Sequence, residues 1–382
     1  MRRFFRDSGF ATLMAFVLVF AVAEGAVRTI HAGLPVDPGK WPRIEIAQKL
    51  DKLDRAIRSG RSFDVVLAGS SVMAGGIDPV VFTRHSDVSS YNAAWAGATG
   101  RTSAAWIADI IEPLAHPEIV VLGIQTGELN DNGPKNQITY KAFATSPGYE
   151  QTRSSLGGRV TSWFERLSYF FRFRRIFRTP TAVFGKDRAA LERTKVRKEV
   201  GERGRRVEEP ITYVFRDKFA KNFYEKNLVD LHLGGKEYRS LVRLARTLED
   251  RGARLILLGT PVTEDFYSIH DDPAGAKMVF REMLKRFQRD TGATVIEAGD
   301  AFPTSAPFRD PVHLDIEGRV AFSKALAETW SKIASHEGGW FTVACRGSSA
   351  PVCRTRLERT FHEHDRLLDH RLADGKPVQV PR

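Results

Sequence analysis

The hydrophobic positions of the chain alternate between short apolar runs and longer amphipathic segments from residue 42 to residue 333. The short runs that have the composition of buried strands occupy residues 65–68, 118–124, 254–258 and 293–297, and residues 89–98 form a further short segment. The longer segments repeat apolar residues at helical spacing and occupy residues 42–58, 102–114, 238–251, 276–291 and 319–333. Strands that alternate with helices predict an α/β fold, a three-layer α/β/α sandwich with a mainly parallel sheet.

Breaks in this rhythm predict the organisation of the chain. Residues 1–28 are interpreted as an N-terminal signal or membrane anchor, and residues 29–60 as a linker with a lead-in helix. The α/β domain is expected over residues 61–335, with a helical insertion at about 135–235. Residues 336–382 have weak periodicity and many charges, so we predict a C-terminal tail and assign it no fold.

The N-terminus has the composition of a membrane-targeting segment. Arg2, Arg3 and Arg6 precede an apolar run over residues 9–23, which predicts that the arginines stay in the cytoplasm and the following chain is exported. Residues 21–23 (Ala-Val-Ala) resemble a signal-peptidase site, so the segment is either removed or retained as an anchor. Both alternatives predict a protein of the cell envelope, anchored in the membrane or secreted.

The formal net charge of +12 does not describe the whole chain. Residues 151–206 hold 16 Lys and Arg against 5 Asp and Glu, which accounts for almost all of the excess. Within this segment, residues 163–178 mix aromatic side chains with arginines. That mixture is compatible with an insertion helix packed on the body, a helix on an anionic membrane surface, or nucleic-acid binding, but the export signal argues against nucleic acid.

Polar residues follow two of the predicted strands, where ligands bind in open α/β sheets. Gly69, Ser70 and Ser71 end the first strand. Asp310 and His313 lie in a loop after the last strand, and a carboxylate three residues from an imidazole can orient it as a general base. A serine and such a pair at one sheet edge are the residue types of nucleophilic acyl chemistry.

Four short blocks in this order resemble the SGNH (GDSL-type) hydrolases, in particular membrane-tethered members of bacterial envelopes. The blocks are residues 69–71 (Gly-Ser-Ser), residues 92–97 (Asn-Ala-Ala-Trp-Ala-Gly), residues 120–131 and residues 310–313 (Asp-Pro-Val-His). The resemblance covers about residues 60–132 and 238–333. It implies the α/β/α sandwich of that family with a helical insertion.

The resemblance also implies a role for each matching residue. Ser71 is expected to be the nucleophile, His313 its general base and Asp310 the carboxylate that orients the imidazole. The oxyanion hole is expected from the backbone N–H of Ser71, the backbone N–H of Gly97 and the side-chain amide of Asn130.

The third block departs from the family pattern. It holds one residue too many between Gly127 and Asn130, which leaves Asn132 as the alternative source of the oxyanion amide. Position 70 is Ser where the common motif has Asp.

These expectations combine into one function and two alternatives. We expect an extracytoplasmic serine esterase or O-acyltransferase that acts on O-acyl groups, acetyl in the first instance, of a cell-surface polysaccharide or glycolipid. The chemistry needs no cofactor, and the expected partners are the acylated carbohydrate and the cytoplasmic membrane. One alternative is a non-catalytic module that positions polysaccharide in an envelope assembly complex. The other is a lipase that docks on a membrane through residues 163–178.

The remaining candidates are weak. Cys345 and Cys353 either close a small disulfide in an oxidising compartment or remain two thiols. His362 and His364 form a His-x-His pair in a charged tail, for which no metal is predicted. The sequence contains no internal repeat, and the oligomeric state is left open.

Overall fold

The structure is a computed structural model that describes residues 2–31, 34, 40–152, 163–165, 167–178, 200–206, 225–347 and 351–358. The chain forms two compact units. One comprises Met1–Gln48 and Phe143–Val196, and the other comprises Lys49–Ala142 and Arg197–Arg382.

The second unit is built on a seven-stranded sheet with the order β2-β1-β3-β4-β5-β6-β7. Its strands are β1 (Val65–Gly69), β2 (Ser90–Asn92), β3 (Ile119–Ile124), β4 (Arg254–Gly259), β5 (Thr294–Glu297), β6 (Trp340–Arg346) and β7 (Val352–Glu358). Every neighbouring pair is parallel except β6 with β7. The mainly parallel α/β fold expected from the hydrophobic pattern is therefore confirmed.

Helices precede the first strand and lie between the later strands. In the described residues they are α1 (Arg2–Ile30), α2 (Ile44–Arg58), α3 (Ser71–Gly76), α4 (Pro79–Ser86), α5 (Gly100–Trp106), α6 (Glu112–Ala115), α7 (Thr126–Leu129), α8 (Pro134–Ala144), α9 (Pro147–Thr152), α10 (Tyr169–Arg178), α11 (Lys236–Asp250), α12 (Glu264–Tyr267), α13 (Pro273–Thr291), α14 (Ile316–Glu328) and α15 (Trp330–Ser335). A π-helical turn, Ile107–Ile111, joins α5 to α6.

Alternating side chains of the strands enter two hydrophobic cores on opposite faces of the sheet. Leu67 and Val121 belong to a core shared with α3, α4 and α14. Val120 and Leu122 belong to a core shared with α11 and α13. Because a strand buried on both faces has no polar face, β1 and β3 are apolar throughout. This gives the three layers that the sequence predicts.

Residues 336–382, to which the sequence analysis assigned no fold, contribute two strands to the sheet. β6 pairs with β5 in parallel, and β7 pairs with β6 as an antiparallel edge strand. Exposed and charged residues interrupt the apolar pattern of β7, as is common at a sheet edge, so its sequence resembles a loop. Cys345 and Cys353 lie opposite each other in this pair and form a disulfide.

The first unit contains α1 and α10. From Gly9 to Ile30, α1 is long and apolar enough to cross a membrane, a property that it shares with signal sequences. Glu24 interrupts its apolar surface and accepts hydrogen bonds from the backbone N–H of Tyr169 at 3.0 Å and of Phe170 at 2.9 Å. Glu24 therefore caps the N-terminus of α10, where a negative charge is favourable.

Candidate active site

Ser71 lies at the carboxyl edge of the parallel sheet because β1 ends at Gly69 and α3 begins at Ser71. Ser70 is the N-cap of α3, and its hydroxyl accepts a hydrogen bond from Val72 N at 3.2 Å. The turn is tight: a Cβ on Gly69, whose φ is +133°, would come within 2.5 Å of Gly123 O. The serine hydroxyl is thereby placed at a partly exposed position above the strand end.

Ser71, His313 and Asp310 form a chain of hydrogen bonds. His313 Nε2 lies 2.8 Å from Ser71 Oγ. His313 Nδ1 lies 2.7 Å and 2.8 Å from the two carboxylate oxygens of Asp310. An ionised carboxylate only accepts hydrogen bonds, so Nδ1 carries the proton and Nε2 accepts from the serine hydroxyl. The three groups are thus arranged for proton transfer from Ser71 to His313.

The loop around Asp310 keeps its carboxylate ionised. Burial raises the pKa of Asp310, but His313 and the backbone N–H of Val312 outweigh burial and lower that pKa to about 2. The N–H groups of Val312 and His313 donate to Asp310 Oδ1 at 3.0 and 2.9 Å. Because His313 follows Asp310 by three positions, the carboxylate of Asp310 can accept hydrogen bonds from both the backbone and the imidazole of its own loop.

The second block of the sequence motif contacts α3 and the end of β1. Asn92 is fully buried at the end of β2 and donates its side-chain amide to Met73 O of α3 and to Ile77 O at the C-cap of α3, each at 3.0 Å. Trp95 N donates to Gly69 O at 3.1 Å, which brings the segment with Gly97 against the end of β1. Gly97 is partly exposed and has a φ of +84°, a backbone conformation that favours glycine.

The structure does not aim the amide of Asn130 at Ser71. Asn130 is fully buried, and its two amide protons are donated to Asn227 O at 2.9 Å and Val229 O at 3.1 Å. Its Oδ1 accepts from the backbone N–H of Asn132 and of His232. With both protons engaged, Asn130 has no donor left for an oxyanion in this arrangement, and its contacts are those of a loop-stabilising residue.

The alternative, Asn132, is also directed elsewhere. Its side chain is exposed, and its amide donates to Asp230 Oδ2 at 2.9 Å and Asp230 O at 3.3 Å. The amides of both asparagines of the third block thus donate to residues 227–230.

Gln125, which the sequence analysis did not name, follows β3 in the way that Ser71 follows β1. β1 and β3 are parallel with Gly69 opposite Gly123, so Ser71 and Gln125 are both two residues beyond that pair. Gln125 is 8% exposed and is the N-cap residue of α7. The signal in the sequence was the Gly at position 123, two residues before Gln125, as Gly69 lies two residues before Ser71.

The other histidines and possible metal ligands have simpler structural explanations or fall outside the described residues. The part of the chain that the structure describes contains no cluster of His, Cys, Asp and Glu able to hold a metal ion. His362 and His364 fall outside the described residues. His270 is buried, which lowers its pKa, and its Nε2 lies 3.0 Å from Thr126 Oγ1, next to Gln125.

Comparison with known proteins gives similar structures only. No protein-family model matches the chain, and no curated protein matches it. A protein described as an acylhydrolase from Bacteroides fragilis is 11% identical, with 74% of this chain and 97% of that one covered at a TM-score of 0.36. A GDSL-like lipase from Bacteroides thetaiotaomicron is 9% identical, with 75% and 99% covered at a TM-score of 0.36.

A third solved structure is an acetyl xylan esterase from the rumen bacterium Butyrivibrio proteoclasticus. It is 9% identical, with 72% of this chain and 65% of that one covered at a TM-score of 0.30. The GDSL type expected from the sequence motifs is thus represented among these similar structures.

Proposed function

We propose that the protein is a serine esterase or O-acyltransferase with Ser71 as nucleophile, His313 as general base and Asp310 as the orienting carboxylate. The observation that carries this proposal is the hydrogen-bond chain from Ser71 Oγ through His313 to Asp310. Three side chains with no shared structural task converge at the sheet edge where ligands bind in α/β folds. If Asp310 and His313 formed an ion pair for stability alone, the partly exposed hydroxyl of Ser71 would not be needed beside the imidazole.

The proposed reaction proceeds in two halves. Ser71 Oγ forms a bond to the acyl carbon while its proton passes to His313 Nε2, and the carbonyl oxygen becomes an oxyanion. Collapse of the tetrahedral intermediate breaks the ester C–O bond, and His313 protonates the leaving alcohol. Water or a second alcohol then attacks the acyl-Ser71 ester with the same base, which restores the hydroxyl and yields either an acid or a new ester.

Two backbone N–H groups are the first candidates to stabilise the oxyanion. Ser71 is the first residue of α3, a position whose N–H has no partner within a helix. None of the described backbone carbonyls accepts a hydrogen bond from Gly97 N, and its loop is held against β1. These donors are part of the proposal, and removal of one such donor typically costs 10²–10³-fold in kcat, or roughly 3–4 kcal/mol.

The proposed substrate is an O-acyl group, acetyl in the first instance, on a polysaccharide or glycolipid outside the cytoplasmic membrane. The apolar helix α1 supports an export signal or anchor. The disulfide between Cys345 and Cys353 supports an oxidising compartment, because structural disulfides are rare in the cytoplasm. Hydrolysis and transfer differ only in the acceptor, so both remain within the proposal.

A non-catalytic module that positions polysaccharide is the second candidate. The observation that favours it is the engagement of both Asn130 amide protons, which removes one donor expected of a catalytic site. The intact Ser71–His313–Asp310 chain favours the esterase.

The decisive experiment compares the full-length protein in detergent with its Ser71→Ala and Ser70→Ala variants. With p-nitrophenyl acetate, we expect Ser71→Ala to lose at least about 10³-fold in kcat and to resist a fluorophosphonate probe. Ser70→Ala, which removes a helix cap but not the nucleophile, should retain labelling at Ser71. A folded wild type that neither hydrolyses the ester nor reacts with the probe would support the binding module instead.

A further inference from the structure

Residues 163–178, named here the aromatic–arginine segment, are attached to the C-terminal end of α1. Both belong to the first compact unit. The Ser168 hydroxyl donates to the carboxylate of Glu24 at 2.7 Å, and Arg28, one turn further along α1, donates to Leu167 O at 3.0 Å. The end of α1 and the start of the segment are therefore joined by charged hydrogen bonds.

This end of α1 is where the helix would leave a membrane. Between Gly9 and Ile30 the charged residues are Glu24 and Arg28, both in the last seven positions. The turns before them expose large apolar side chains, among them Phe16, Leu18, Val19 and Val22. A charged side chain in hydrocarbon is costly, so charge returns to a spanning helix near the boundary with water. The aromatic–arginine segment is thus joined to α1 at this boundary.

Apolar side chains of the segment are exposed beside the same end of α1. Trp163, Phe164 and Leu167 are 57%, 45% and 52% exposed. The ring centroids of Trp163 and Phe164 lie 5.0 Å apart, and those of Phe164 and Phe171 lie 5.6 Å apart, so these groups form a continuous patch. Packing on the core of the protein would bury them. Such patches mark interaction surfaces, and tryptophan is enriched where a membrane meets water.

The helix of the segment, α10, is strongly basic. It has arginine at positions 172, 174, 175 and 178 and contains no acidic residue. At helical spacing, Phe170, Phe173 and Phe177 share one side of α10, and the four arginine positions fall on the rest of its surface. The rings of Phe170 and Phe177 stack with centroids 5.8 Å apart. Aromatic residues on one face and arginines on the other are typical of helices that lie on an anionic membrane surface.

The exposed aromatic patch and α10 form one surface. Arg174 Nη1 of α10 lies 2.8 Å from Glu165 Oε1, and its guanidinium group stacks 3.8 Å above the ring of Phe171. Lys40 Nζ pairs with the other carboxylate oxygen of Glu165 at 2.7 Å. These ion pairs hold the residues next to Trp163 against the basic helix, so apolar and positively charged groups are presented together.

We propose that the aromatic–arginine segment docks on the anionic phospholipid surface of the membrane that α1 enters. Trp163 and Phe164 insert among the acyl chains nearest the surface, and the arginines bind lipid phosphate groups. The lipid supplies the negative charge that this part of the chain lacks, because residues 151–206 hold 16 Lys and Arg against 5 Asp and Glu. The inference goes beyond the proposed chemistry and rests on the proposed location, with α1 retained as an anchor.

Trp163 makes a selective test possible. The chain has six tryptophans, and the other five are at most 5% exposed, so a quencher dissolved in lipid reaches Trp163 alone. The full-length protein, with α1 verified by intact mass, is reconstituted in nanodiscs of phosphatidylcholine with or without phosphatidylglycerol. We expect lipids brominated on the acyl chain to reduce tryptophan fluorescence in the anionic nanodiscs, and to reduce it less in the zwitterionic ones. Trp163→Phe keeps an aromatic ring and should abolish the reduction.

The contribution of charge is tested by substitutions in α10. Arg175→Gln combined with Arg178→Gln should lower the quenching in anionic nanodiscs toward the zwitterionic level, because each basic residue near an anionic surface favours the docked state about fivefold. Arg239→Gln combined with Arg246→Gln is the matched control. It removes two exposed arginines from α11 and should leave the quenching unchanged.

Each other outcome contradicts a defined part of the inference. An unquenched Trp163 in anionic nanodiscs would overturn the docking, and a Trp163 that responds only to an added single-stranded oligonucleotide would assign the segment to nucleic acid instead. Equal quenching in both kinds of nanodisc would overturn the recognition of anionic lipid. A purified chain that lacks α1 would contradict the anchor and the inference together.

The fluorescence of Trp163 does not depend on Ser71, so the two proposals fail separately. A protein that does not hydrolyse p-nitrophenyl acetate, but whose Trp163 is quenched by anionic brominated lipid, would overturn the proposed chemistry alone. An active esterase whose Trp163 is not quenched would overturn this inference alone.

Discussion

Ser71 and His313 are 242 residues apart in the sequence, yet Ser71 Oγ and His313 Nε2 are separated by 2.8 Å. The contact exists because β1 and the loop before α14 both end at the carboxyl edge of one parallel sheet. Asp310 approaches the same imidazole from its other nitrogen. Because each of the three side chains has its own hydrogen bond, the contribution of each can be tested by a single substitution.

Asp310→Asn should lower kcat by about 10³–10⁴-fold with little change in stability. An asparagine amide facing His313 Nδ1 favours the tautomer in which Nε2 carries the proton, and that imidazole cannot accept from Ser71. Steady-state hydrolysis of p-nitrophenyl acetate measures the effect. Asp315→Asn is the matched control, because Asp315 caps α14 by accepting from Gly318 N and asparagine caps equally well. Equal activity of the two variants would contradict the role of Asp310.

Asn130→Ala should destabilise the fold by roughly 3 kcal/mol and leave kcat per folded molecule within about threefold. The substitution leaves the buried carbonyl groups of Asn227 and Val229 without their donor. Urea denaturation and active-site titration measure the two quantities. Asn132→Ala, at an exposed position, should change stability by less than about 1 kcal/mol. A large loss of kcat in folded Asn130→Ala would restore this residue as an oxyanion donor.

The stability of the protein should fall as the pH rises from about 4.5 to about 7, and Glu128→Gln should remove that part of the dependence. The folded state raises the pKa of Glu128 to about 7, so its native form binds a proton that the unfolded chain has already released. The stabilisation is complete below the unfolded pKa and is lost as the pH rises through the folded one. The upper limit is about 3 kcal/mol. The difference between the denaturant midpoints of the wild type and of Glu128→Gln should change between pH 4.5 and 7 and become constant above pH 7. A difference that stays the same over the whole pH range would contradict the prediction.

Replacing Cys345 and Cys353 together by alanine should lower stability by about 2.5 kcal/mol, the loop-closure value for so short a disulfide loop. The bond joins opposite positions of β6 and β7, so its loss should free the edge strand first. Thermal unfolding with and without dithiothreitol measures this effect. The wild type should become less stable on reduction and the double variant should not respond. A wild type that is indifferent to reductant would show that the disulfide does not stabilise the fold.

Glu24→Ala should loosen α10 within the first unit. The carboxylate accepts from Tyr169 N, Phe170 N and the Ser168 hydroxyl, and hydrogen bonds to a charged group contribute about 1.5–3 kcal/mol each at most. Limited proteolysis and hydrogen exchange of detergent-solubilised protein should show faster opening of α10. Glu24→Gln, which keeps an acceptor but no charge, should have a smaller effect. Unchanged exchange in Glu24→Ala would mean that the cap does not hold α10.

Local patterns in the sequence were sufficient to predict the α/β fold and the positions of most strands and helices. An apolar run that ends in Gly-Ser or in a polar loop marks the end of a strand. A strand buried on both faces needs apolar residues throughout, whereas the turn that follows it favours glycine and polar residues. The proximity of Ser71, Asp310 and His313 followed from the same rule, since carboxyl ends of parallel strands share one edge. Strand β7 was not predicted, because its residues are largely exposed and charged, as is common at a sheet edge, and so show no regular alternation of apolar and polar positions.

Only the tertiary structure decided what the asparagine amides of the third block bind. Along the chain, Asn130 is the expected donor after β3 and Asn132 is its alternative, and the sequence leaves both open. In the structure, the side-chain amide of Asn132 donates to Asp230. The side-chain amide of Asn130 donates to the backbone carbonyl groups of Asn227 and Val229, which are 97 and 99 residues away in the sequence. The sequence by itself thus determined the elements and the kind of chemistry, whereas long-range strand pairing and hydrogen bonding decided the individual partners.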